Sequence, residues 1–149
     1  MLKNNILAFL LHLILAFITL LLMAYYNPTD YLLWGITLLT CLCYVAGGIF
    51  LKTFPSSLKN LLSVSVIAFI GFVLLGFSYM IVERGDSTGG IGWIFYYAYN
   101  PPFFSLFLIL IEGGNLDDHI PILLLLNLLP SLFIWIGLEM KRGIFNGRT

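Results

Sequence analysis

Charge is what this 149-residue sequence has least of: only 9% of its residues are Asp, Glu, Lys or Arg, where a soluble domain carries about 25%. With 60% hydrophobic residues, the balance excludes an ordinary soluble fold. There is no net charge either, because seven basic residues cancel seven acidic ones. Without a basic surplus there is no general electrostatic drive toward nucleic acid or toward an anionic lipid surface. Cysteine is scarce as well. Cys41 and Cys43 are the only two, they lack the Cys-x-x-Cys redox spacing, and both fall in the middle of an apolar run. They read as small packing residues, which argues against a disulfide-exchange enzyme. Also missing are a phosphate-binding glycine loop, a Gly-x-Ser-x-Gly elbow and a His-Glu-x-x-His helix. No acid or strong base stands in mid-span, where ion-coupled transporters usually place one.

The charges are absent from four stretches long enough to matter. Residues 6–26, 31–51, 61–82 and 120–138 contain no Asp, Glu, Lys or Arg, and each approaches the roughly 20 apolar residues that cross a hydrocarbon core about 30 Å thick. The first is longer than the apolar core of a secretory signal and leads into Tyr25-Tyr26-Asn27-Pro28, with no small-x-small cleavage site, so it reads as a retained span. Asn27-Pro28-Thr29-Asp30 is a turn, with Thr29 or Asp30 available to cap the next helix. The link 52–60 holds two lysines and Pro55-Ser56-Ser57 and reads as a polar connector.

Counting bases on alternate sides sets an orientation. With the amino terminus inside, Lys3, Lys52, Lys59, Lys141, Arg142 and Arg148 are cytoplasmic and only Arg84 is outside, a positive-inside pattern. The acids mostly take the other side. The expected fold class is therefore an all-α membrane protein, a four-transmembrane-helix bundle forming a single integral domain of the inner membrane, with both termini cytoplasmic.

Residues 83–119 form a long outer segment between helices three and four, and its composition is distinctive. Trp93, Phe95, Tyr96, Tyr97, Tyr99, Phe103, Phe104 and Phe107 crowd one short stretch, as at a membrane interface or a partner-binding surface. Asn100-Pro101-Pro102 divides it into two pieces, each about 13 to 14 Å long as a helix and too short to cross alone. Three arrangements compete: helices lying flat in the outer interface, a re-entrant hairpin with the Pro-Pro break at its tip, or a kinked fifth span. Trp93, Phe95, Tyr96, Tyr97, Tyr99, Phe103 and Phe104 are the expected partner-binding residues. Beyond them, Glu112, Asp117, Asp118 and His119 offer oxygen and imidazole ligands together with Glu83 or Asp86. Their spacing matches no recognised metal site, and helix capping by Asp117 or Asp118 is the expected role.

Inside the spans, His12 is the one strongly titratable side chain. It lies about 9 Å into the cytoplasmic half, nearly level with Cys43, and is expected as a neutral histidine bonded to a backbone carbonyl or to a Ser/Thr on the next helix. Its depth differs from that of His119, so the two cannot share a haem. Gly47, Gly48, Gly71, Asn127 and Ser131 are expected in helix packing, where small and amide side chains let helices approach and bond across. No cofactor or metal is expected. Three functions follow: a binding role as an accessory or regulatory subunit or an immunity or defence protein, as a homo-oligomer or with a membrane protein partner; an oligomeric channel or transporter; and a membrane enzyme using the outer acids with His119.

Overall fold

The computed structural model describes residues 1–26, 29–83, 89–101, 103 and 120–146, and every regular element among them is a helix. In chain order these are α1 (Leu2–Tyr26), α2 (Asp30–Phe50), α3 (Ser57–Leu62), α4 (Val66–Glu83), α5 (Gly89–Tyr99) and α6 (Ile120–Asn146). Three stretches are long and apolar enough to cross a membrane: Leu2–Tyr26, Asp30–Phe50 and Ile120–Ile144 within α6.

The third expected span differs. Where a single run over 61–82 was expected, the chain turns at 63–65 and divides it between α3 and α4. Serine explains the break. Ser63 Oγ donates to Asn60 O at 2.8 Å and Ser65 Oγ to Leu62 O at 3.1 Å, local bonds that compete with the helical ladder. What remains, α4, has 18 residues, about 27 Å of helix, marginally short of a typical hydrocarbon core. The polar connector 52–60 in turn holds the start of α3, and α6 runs past the expected end at 138 to Asn146. Its helical assignment is continuous through Pro130.

The most extensive contact joins α2 and α6, which run parallel. Glycine makes it possible. A Cβ on Gly48 would fall on the Ile134 carbonyl oxygen, and one on Gly137 on the Val45 carbonyl oxygen, so the two backbones touch where neither residue has a side chain. Against this pair α4 packs antiparallel to α6: Ser131 Oγ donates to Val64 O at 2.9 Å, and Gly71 leaves room for the Asn127 amide.

The aromatic helix α5 is also upright. Ser78 Oγ donates to Gly92 O at 2.7 Å near one end, and Tyr99 OH donates to Ile67 O at 2.9 Å near the other. Those two partners on α4 are about 16 Å apart along its axis, the full length of α5. In its described part, therefore, the aromatic segment lies alongside α4 in the antiparallel sense and does not lie flat across the end of the bundle.

Candidate functional site

Polar and aromatic side chains from α1, α2 and α5 meet at an internal node. His12 on α1 shares a 2.7 Å hydrogen bond between its Nδ1 and the Tyr44 hydroxyl of α2, and both residues are 0% exposed. The ring of Tyr99, at the end of α5, packs against the imidazole with centroids 4.4 Å apart. Phe103 lies 6.0 Å from Tyr44 and 6.5 Å from Phe133, stacked with both. Three helices and the residues after α5 thus close over one histidine. Its Nε2 has no hydrogen-bond partner among the described residues.

A second node lies beside it. Asn100, the residue after α5, donates its Nδ2 to Asn127 Oδ1 at 3.1 Å. Asn127 is held on α6 opposite Gly71, where any side chain would collide with the amide. Among the described residues, no partner is recorded for Asn100 Oδ1 or Asn127 Nδ2, both buried. Further along, Tyr96 OH donates to Leu123 O at 3.4 Å, so α5 is bonded both to α4 and to α6.

A third network ties off the end of the bundle that carries the lysines. Asn4 Nδ2 donates to Lys52 O at 2.8 Å and to Ser63 Oγ at 3.2 Å, while its Oδ1 accepts from Lys52 N at 3.3 Å. Asn5 bridges Leu62 O and Val66 N across the break between α3 and α4. Asn60 accepts from Phe54 N at 2.7 Å and donates to Glu139 Oε1 at 2.8 Å, and Glu139 also forms an ion pair with Arg142. Lys141 Nζ donates to Leu51 O at 2.8 Å. Buried amides of this kind cost free energy unless bonded, and here each bond also fixes a chain segment.

Against the expected residues, the structure turns most of the aromatic surface inward. Trp93, Tyr96, Tyr99 and Phe103 are buried, Tyr97 is half-buried and Phe95 is exposed. Trp93 stacks on Tyr97 with centroids 5.5 Å apart and meets Tyr96 edge-on. A ring already packed in the core is not offered to a partner, so four of the seven expected contact residues serve the interior. Phe104 lies outside the described residues, as do Glu112, Asp117, Asp118 and His119. Among the described residues no group of three His, Cys, Asp or Glu is placed to hold a metal ion. Gly48, Gly71, Asn127 and Ser131 sit at helix contacts, and Gly47 faces the side chain of Leu11. Cys41 and Cys43 are half-buried free thiols.

The sequence reading passed over Tyr44 as the partner of His12, and the clamps made by Asn4, Asn5 and Asn60. The available signal was asparagine at the ends of apolar runs, where an amide must find a partner. Comparisons with family models, curated proteins and solved structures find no match to this chain.

Proposed function

We propose that this chain is a multi-pass protein of the inner membrane that acts by binding, as an accessory or regulatory subunit or an immunity or defence protein. In this reading α1, α2, α4 and α6 are the spans, both termini are cytoplasmic, and α5 enters from the outer side as a re-entrant half-helix. Backbone at membrane depth is tolerated where protein covers it, and the bonds of α5 to Ser78, Ile67 and Leu123 are cover of that kind.

The observation that carries a binding role is where the reactive side chains go. His12, Tyr44, Tyr99 and the two asparagines are enclosed and committed to joining helices. Turnover needs a substrate to reach such groups, and their burial works against that. The outward faces are apolar instead: Phe17 and Leu21 on α1, Leu38 and Leu42 on α2, Phe69 and Phe77 on α4. Such faces meet lipid or another membrane helix.

Co-purification after gentle detergent extraction tests this reading. The expected result is a stable complex, with a second membrane protein or with further copies of the chain. A lone monomer recovered from native membranes would overturn it. Replacing Trp93 and Tyr96 with Ala is a poor probe of partner contact, because it empties the core and reports on folding.

A second reading, an oligomeric channel or transporter, draws on one observation. The half-helix α5 ends inside the bundle at a pair of asparagines whose remaining acceptor and donor have no partner among the described residues, and discontinuous helices in transporters place their ends at the substrate site. Solute or ion flux into liposomes holding only this chain would support it. Vesicles that stay tight under every gradient would sink it.

A further inference from the structure

We propose that the lysine-bearing end of the bundle holds a binding site for the phosphate of an anionic phospholipid. A cavity of about 260 Å³ opens there between the start of α1 and the ends of α2 and α6, lined by Lys3, Asn4, Leu7, Phe50, Lys52 and Lys141. Three of these are lysines, so the cavity is bordered by basic residues from three helical ends. At roughly 30 Å³ per water molecule, that space would hold about nine waters, ample for a phosphodiester.

The site is built rather than incidental. Asn4 grips the backbone of Lys52 from both sides, through its carbonyl and its N–H, which fixes where that lysine leaves the chain. Lys141 is pinned by one donor to Leu51 O and keeps two more N–H groups for a ligand. The nearby acid is kept elsewhere: Glu139 is held by Arg142 and Asn60 and does not line the cavity. No acid stands in the first turn of α1, where free backbone N–H groups and the helix dipole favour an anion.

The walls choose the source of the phosphate. Leu7 and Phe50 are both exposed and form an apolar flank to the lysine cluster. Lysines beside an apolar wall match a headgroup phosphate with the first methylenes of its acyl chains, and basic pockets between helices on the cytoplasmic side suit such lipids. A soluble phosphate would have no use for that wall. The site goes beyond the binding role proposed above and rests only on the membrane reading, with this end of the bundle cytoplasmic.

The test uses the purified full-length chain in mild detergent, titrated with dioleoyl phosphatidylglycerol or dioleoyl phosphatidylcholine and read by native mass spectrometry. Phosphatidylglycerol should be retained in preference. Lys3→Gln and Lys52→Gln should each weaken its retention about fivefold, with the thermal midpoint of the protein unchanged. Lys59→Gln, on an exposed lysine outside the cavity, should have no effect. Equal retention of both lipids would overturn the proposal, as would an equal loss on Lys59→Gln, which would mean diffuse attraction. Displacement of phosphatidylglycerol by millimolar inorganic phosphate would overturn the lipid assignment in favour of a soluble anion.

Discussion

At the scale of single residues, His12 shows how a polar group survives inside an apolar bundle. Its hydrogen bond to Tyr44 matters less for its own strength than for what its loss exposes, since a buried donor or acceptor left unpaired costs about 1–3 kcal/mol. Tyr44→Phe or His12→Phe alone should therefore each destabilise the protein by about that amount in detergent thermal unfolding. The double replacement should cost clearly less than the sum, because no polar group is then stranded and a phenyl ring keeps the packing against Tyr99. Strict additivity would show that the bond contributes nothing. The depth of His12 was legible from the sequence, which placed it nearly level with Cys43 on α2. Its partner proved to be the next residue, Tyr44. Counting residues gives height along a helix, but the face presented to a neighbour depends on how two helices rotate against each other.

At the scale of elements, close approach and its interruption decide the arrangement. Gly48→Ala would set a methyl group on the Ile134 carbonyl oxygen, which is backbone and cannot swing aside. Parting α2 from α6 in this way should cost about 1–3 kcal/mol. Gly76 meets nothing within 4 Å, so Gly76→Ala should leave stability unchanged or raise it by up to about 1 kcal/mol through helix propensity. Similar melting losses for the two variants would refute the role assigned to Gly48. Small residues in α2 marked this face in advance, whereas Gly137, beyond the Asn127 and Ser131 expected in packing, did not stand out. The break before α4 was hidden for another reason. Leu61, Leu62, Val64 and Val66 keep the run apolar, and hydropathy does not register two serine hydroxyls bonding back to the chain. In the aromatic segment, composition pointed to a membrane interface or a partner surface, whereas Trp93, Tyr96, Tyr99 and Phe103 are buried in the bundle, because composition does not show which neighbours a ring will meet.

At the scale of the whole molecule, the zero net charge divides into two unlike ends. Lys3, Lys52, Lys59, Lys141 and Arg142 gather at one end with Glu139, while Tyr25, Tyr26 and Tyr31 stand exposed at the other, where amphipathic rings suit a headgroup layer. In a chain with Cys41 and Cys43 replaced by Ala, a cysteine at position 146 should be blocked only by a permeant thiol reagent and one at position 87 also by an impermeant one. The reverse pattern would invert the topology. The upright α5 also bears on how the chain is made. Tyr96 and Asn100 find their partners on α6, at Leu123 and Asn127, and α6 is synthesised after α5. Until it arrives, α5 has half of its polar contacts missing, so the half-helix cannot settle during its own synthesis. Its final seat is taken only when α6 enters, which makes α6 the closing piece for α5 as well as the companion of α2.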